Sequence, residues 1–408
     1  MLHGCVQRST LCLMSQPARE SGQAPTTDPL PRRVETVIIG GGIAGLACAR
    51  RLHEEQRPFL LITENVGGRI RPSANGRVNL GAYYVRRDYT NVNRFADRGR
   101  RIERRSLLRG SEDGSWTHSD LPLLLHPRQT IRFLRLMRRF RRHYEAFKRE
   151  CLLVSQAEAL RADPVLWGLY HEPASRFIER HRIEEITRSH LTPAVRATTF
   201  TSPDRLTAFT LLVGALGFVF PVFEYTFRFD VLTDGFEDAL LLDSVTEVLS
   251  RSGHYAIRTR DGNSVVADNV VVATPIDVSA RLLDLGSVKS PISAHFFLVQ
   301  GVVRRPWASA TISLFPAGDP IIVVARQADG STLVTATTAD PDFSRLFSTW
   351  DVVEHHHWNP AFHLLGTALL ECEQQPGLYV IGDHNVCDLE DAYLTGVYAA
   401  GRVAAGSR

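Results

Sequence analysis

At 408 residues, 44% of them hydrophobic and 22% charged, the chain is long enough for two domains with separate cores. A formal net charge of +3 is too small to point to nucleic acid as a partner. The six cysteines, Cys5, Cys12, Cys48, Cys151, Cys372 and Cys387, show no CxxC or zinc spacing, which suits free thiols in a reducing, cytoplasmic setting.

Residues 1–33 are rich in Ser, Pro, Thr and Gln and lack the apolar stretch of a secretory signal. They read as a disordered leader, with Met14 as an alternative start. Val34–Ile39 is a short apolar run of the kind that forms a buried parallel strand. It meets Gly40-Gly41-Gly42-Ile43-Ala44-Gly45, a G-x-G-x-x-G, and the sequence LACARRLHEE after it reads as a helix. Gly40 makes the tight turn, Gly42 lets backbone approach a pyrophosphate, and Gly45 lets helix and strand pack closely. A phosphate then sits at a helix N-terminus, where free N–H groups and the dipole favour an anion. A second strand, PFLLIT, leads to Glu64, which lies 19 residues after Gly45, the distance at which an acid meets a ribose hydroxyl. Strand, glycine loop, helix, strand and acid together predict a dinucleotide site.

The second glycine pair narrows the family. VGGRI after the strand-end acid resembles the flavoprotein superfamily of amine oxidases, protoporphyrinogen oxidases and phytoene desaturases. The resemblance implies FAD as cofactor, with Gly67, Gly68 and Arg69 in the turn against its pyrophosphate. RVNLGAYYV looks like the family's strand approaching the flavin, with Gly81 and Ala82 at the close-contact positions. TDGFEDALLLDSV resembles a shortened form of the family's next helix. The alternating run to Ala273-Thr274-Pro275, with its Asp261-Gly262 turn, resembles the β-meander, and Val245 matches the position whose backbone meets adenine. The closing GLYVIGDHNVCDLEDAYLTG resembles the terminal motif. There Gly382 and Asp383 would meet the ribityl chain or sugar, and Glu390, Ala392, Thr395 and Gly396 fit E-x-A-x-x-[ST]-G. That helix's N-terminus can face the flavin edge where charge appears on reduction.

The fold expected is therefore α/β. A discontinuous Rossmann-like FAD domain (34–98, 230–285 and 365–408) joins a substrate domain of helices over an antiparallel sheet (99–229 and 286–364).

The substrate side is less marked. The stretch LTAFTLLVGALGFVFPVFEY at 206–225 is apolar for about sixteen residues, short of the roughly 20 a bilayer span needs, and contains Pro221. A buried core helix, a wall of an apolar cavity and a membrane insertion are its readings. Residues 126–150 read as an amphipathic helix with Ile131, Leu134, Met137, Phe140, Tyr144 and Phe147 on helical spacing. Nine basic residues against two acids occupy 121–150. This suits a solvated face, a peripheral contact with anionic lipid, or an acidic partner.

Two family marks of a true amine oxidase are missing. Asp388 stands where one ring of the aromatic cage is expected, and the strand SAHFFLVQGVVRRPW has no lysine, though His295 lies near that place. The VVEHHHWNPAFH run offers no metal-ligand spacing, so no metal is expected. His295, His356 and Trp358 are candidates for the reacting end, with no general base assigned. The function implied is hydride transfer from an organic, largely apolar substrate to flavin. The alternatives are an amine oxidase proper, a flavin-dependent isomerase of the UDP-galactopyranose mutase type, and a non-catalytic prenyl-binding relative like the Rab GDP-dissociation inhibitors.

Overall fold

The computed structural model describes residues 32–406 except residues 112 and 119, and excludes the side chains of residues 121 and 122. The expected leader, with Cys5, Cys12 and Met14, lies outside the described residues apart from its last two positions. Arg33 already opens the first strand.

β1 (Arg33–Gly42) runs parallel to β2 (Phe59–Gly67) on one side and to the strand Ser264–Val272 on the other. α1 (Ile43–Glu54) connects β1 to β2. The register pairs Val37 with Leu60 and with Val270, so the apolar run sits at the sheet's centre with no water on either face. Leu378–Val380 and Leu240–Leu242 extend the sheet in parallel at its two sides. Val245–Arg251 and His254–Thr259 form the expected antiparallel meander. Its Asp261-Gly262 turn uses glycine at φ +86°.

The second sheet has seven strands and is largely antiparallel. The helix Thr192–Thr199 lies against this sheet, and α2 (Pro127–Glu150) packs within the helical layer, burying Phe133, Met137, Phe140, Tyr144 and Phe147, the last three against Phe209. The longest strands, β3 (Ser290–Val303) and β4 (Phe347–Leu365), pair antiparallel at one edge. A small third sheet sets Val222–Phe227 between Val85–Arg86 and Ala96–Ile102. The chain closes in α3 (Leu389–Gly406), packed so tightly on α1 that a Cβ at Gly396 would lie 2.1 Å from the Ala44 carbonyl oxygen.

Three local expectations are corrected. The apolar run at 206–225 is not one helix. It is a helix at Ala208–Gly214, a 3-10 turn at Ala215–Phe218 and a strand from Val222. Gly214, Gly217 and Pro221 supply the breaks. Among the described residues no helix is long and apolar enough to cross a membrane. The segment 77–84 is a loop rather than a strand. It folds back on Arg69 and Arg71, whose carbonyls accept the amides of Ala82 and Leu80. The stretch TDGFEDALLLDSV contributes one turn, Glu237–Ala239, and then joins the first sheet.

Candidate functional site

The glycine loop owes its shape to two close backbone approaches. Gly40 has φ +108°, and a Cβ there would stand 2.8 Å from the Ala273 carbonyl oxygen. A Cβ on Gly45 would stand 1.9 Å from the Gly40 carbonyl oxygen, the helix-against-strand packing its position demands. Gly42 differs: with φ −73° it tolerates any side chain, and a Cβ there would meet nothing within 4 Å. It is the N-cap of α1, which has no side-chain cap and no acid in its first turn. The first amides of α1 therefore have neither an intrahelical nor a side-chain acceptor, which is what an anion needs.

The second glycine turn completes this cradle. Gly67 and Gly68 have φ +107° and +56°, and a Cβ on Gly68 would lie 3.0 Å from Gly42 Cα. The two glycine-rich segments are thus in backbone contact. Gly41 N–H donates to Thr63 Oγ1 at 2.8 Å, and that hydroxyl donates to Asn65 O at 2.7 Å, tying the end of β2 to the loop.

From this cradle a cavity of about 720 Å³ runs through the molecule. Gly40, Gly41, Gly42, Ala44, Glu64, Asp243 and Val245 line one end. Gly67, Gly68, Arg69, Gly81, Ala82, Gly382, Asp383 and Ala392 line its middle. Tyr84, Phe200, Phe296, Trp358 and Phe362 wall the other end. Glu64 reaches the cavity but is exposed and faces Arg260 at 3.6 Å.

Arg69 does not point freely at a phosphate. Its guanidinium forks onto both oxygens of Asp383 at 2.6 Å, donates to Ala361 O at 2.9 Å and lies over the Phe362 ring. Burial alone would raise the Asp383 carboxyl; the Arg69 charge and hydrogen bonds more than reverse that and hold it below the usual carboxylate range. Asp383 is thus first a partner of Arg69, and offers a cofactor hydroxyl only its remaining lone pairs.

Two motif residues stay behind the wall. Glu390 is fully buried, and its oxygens accept from the amides of Thr90, Asn91 and Val92 and from the Thr90 and Asn91 side chains. It clamps that turn and does not line the cavity. Thr395 accepts from Gly382 N–H at 3.0 Å and donates to Ala392 O at 2.7 Å, fixing the strand-to-helix join. Gly45 also stays out of the cavity, in its packing role.

Of the candidates for substrate contact, His356 and Trp358 line the cavity, at its aromatic end. Trp358 Nε1 donates to Leu80 O at 2.6 Å. His295 does not reach the cavity. It stacks on His357 at 3.9 Å and shares a hydrogen bond of 3.1 Å between its Nδ1 and His355 Nε2, on the other face of the β3–β4 pair. Among the described residues no group of three His, Cys, Asp or Glu could hold a metal. The cavity carboxylate Asp388, at the expected cage position, is bound to Arg86 at 2.6 Å. Cys387 lines the cavity with its thiol pushed well up by burial, and is therefore protonated.

The sequence reading missed a lysine. Lys289 precedes β3 by one residue, is buried, and lines the cavity. Its Nζ donates to Asn385 O at 2.8 Å and lies 4.6 Å from the Tyr170 ring centroid. Burial pushes its amine down to about 8. The β3 strand has no lysine, and the cavity's lysine comes instead from the residue just before it.

Residues 38–98 match the family model of the NAD(P)-binding Rossmann-like domain. Among solved structures, wild-type putrescine oxidase bound to putrescine superposes with a TM-score of 0.64 at 12% identity, covering 91% of this chain and 99% of that one. The chain has the putrescine oxidase fold. A CLA-producing fatty acid isomerase from P. acnes superposes with a TM-score of 0.67 at 14% identity, over 90% of this chain and 98% of that one. This is the fold that the resemblance to the flavin amine oxidase superfamily implies. By sequence, no curated protein matches the chain.

Proposed function

We propose that this protein is a flavin-dependent oxidoreductase acting on a large, mainly apolar substrate. One observation carries the reading: a single cavity joins an uncapped helix N-terminus, cradled by two glycine turns, to an aromatic chamber. The open space over Gly42 fits a pyrophosphate, and FAD bound there would supply the hydride acceptor. Gly42 and the first turn of α1 would bind the phosphates, Glu64 and Val245 the adenosine end, and Gly382 and Asp383 the opposite end. The partition into an FAD domain (34–98, 230–285, 365–408) and a substrate domain is part of the proposal.

The chain's own groups set the rest. Phe200, Phe296 and Phe362 keep water from the chamber. Phe200 and Phe362 stack on each other at 5.3 Å, which leaves no slot between them for an amine. Asp383 and Asp388 are each neutralised by an arginine. A cationic amine would lose its hydration there and find no free carboxylate at that end of the cavity. An apolar chain would gain about 25 cal/mol per Å² buried. Lys289 Nζ, with its amine near 8, holds or releases a proton close to neutral pH at the cavity wall.

A second reading keeps the cofactor without net oxidation. The similarity to a fatty acid isomerase and the apolar chamber favour shifting a double bond within one lipid-like molecule. One experiment separates these readings: anaerobic addition of unsaturated fatty acids, isoprenoids and putrescine to the flavin-loaded protein. Lasting bleaching by a lipid-like compound, with a product lighter by two hydrogens, supports the oxidoreductase. A product of unchanged mass supports the isomerase. Bleaching by putrescine alone would overturn both.

A further inference from the structure

The geometry points to a peripheral docking face for an anionic lipid bilayer, built on the outward side of α2 and the short helix Leu121–Leu125 before it. The inward side of α2 is occupied by Phe133, Met137, Phe140, Tyr144 and Phe147. The outward side of a helix facing water is typically polar. Here Ile131 and Leu134 stand 48% and 47% exposed, and Leu124 and Leu125 on the preceding helix 74% and 65%. Ile131 and Leu134 share one arc of α2, and the short helix adjoins its N-terminal end, where Thr130 Oγ1 donates to Leu123 O at 2.7 Å.

Charge selects the occupant. Residues 127–142 contain no acid, and Arg128, Arg135, Arg138 and Arg142 are exposed on the same arc as Ile131 and Leu134. Among the described residues none of these four has an acidic partner. The first acid on the helix, Glu145, is already paired with Arg141. A cluster of unpaired arginines around apolar side chains matches a surface with anionic headgroups over an acyl layer.

The face also adjoins the cavity. Gly217 lines the cavity, and the same turn leads into Phe220, whose ring lies 4.6 Å under the Arg141 guanidinium. A lipid surface held at α2 would therefore lie beside the cavity's apolar end. That consequence rests on the apolar-substrate reading; the docking itself does not.

The test is co-sedimentation of the full chain with vesicles of phosphatidylcholine alone and of phosphatidylcholine with phosphatidylserine. The wild type should bind the anionic vesicles, bind the neutral ones weakly, and release as salt rises. R135Q/R138Q should lower the partition coefficient roughly 30-fold. I131S/L134S should lower it roughly tenfold, and L124S/L125S keeps the test open if that variant misfolds. No binding to anionic vesicles would overturn the assignment. So would binding undiminished in the variants, which would place the contact elsewhere on the chain, or tighter binding to single-stranded RNA than to the vesicles.

Discussion

Replacing Gly42 by Val separates a cofactor cradle from an ordinary tight turn. The backbone at Gly42 has φ −73°, so a branched residue is not strained, and a Cβ would have nothing within 4 Å. The folding cost is that of a poor N-cap, about 1 kcal/mol, which lowers the melting temperature by about 1–2 °C in a chain of this length. The same substitution at Gly45 would drive Cβ to 1.9 Å from the Gly40 carbonyl oxygen, so that variant should not fold. For the ligand the order reverses. Valine at 42 fills the space over the α1 amides and removes at least two charge-assisted hydrogen bonds of about 1.5–3 kcal/mol each. FAD affinity should fall more than a hundredfold. The assay is titration of apoprotein with FAD by fluorescence, beside thermal unfolding and circular dichroism. A folded Gly42→Val protein that keeps wild-type affinity would show that the pyrophosphate does not lie over Gly42.

Three further outcomes follow from the ion pairs and buried histidines. Asp383→Ala strips Arg69 of a bidentate partner, and because both groups face the cavity the cost should be about 2–3 kcal/mol, below the range for a fully buried pair, with weaker FAD binding measured in the same titration. Asp391 and Asp388 should respond oppositely to Asn. Burial, then the Asp388 charge, pushes the Asp391 carboxyl up to about 8, so it folds neutral at a cost that grows as pH rises. Asp391→Asn should therefore be neutral to stabilising at pH 7 and lose that advantage near pH 4, whereas Asp388→Asn breaks the Arg86 pair and should cost about 3 kcal/mol in urea unfolding at pH 7. His190 and His384 are pushed from 6.5 down to about 4 by burial, so the unfolded chain takes up protons that the folded one refuses. Melting temperature should fall as pH drops from 6.5 toward 4, and His190→Gln should flatten that slope; an unchanged slope would mean other groups control it.

What the sequence made legible was local. The strand, three glycines and helix at 34–54 follow from nearest-neighbour sterics, and the structure adds only where each glycine's missing Cβ is needed. Glu390 shows the limit. Its motif places it beside a cofactor, but its oxygens are consumed by a turn at Thr90–Val92, some 300 positions earlier in the chain. Lys289 carries no local signal for the same reason: it is held at the cavity by Tyr170, whose ring faces its ammonium, and by Asn385, whose carbonyl accepts its hydrogen bond, both distant in sequence. The aromatic chamber was invisible because Phe200, Phe296 and Phe362 come from three separate elements with no shared spacing. At 206–225 hydrophobicity signalled burial correctly but not conformation, which Gly214, Gly217 and Pro221 decide.

The central claim, that FAD occupies the cavity between the glycine turns and the aromatic chamber, is tested most directly by the visible spectrum of purified full-length protein incubated with FAD and freed of excess. The wild type should show the two visible flavin bands and, on denaturation, release one equivalent of FAD per chain, and Gly42→Val should release none. A folded wild-type protein that stays colourless would contradict it.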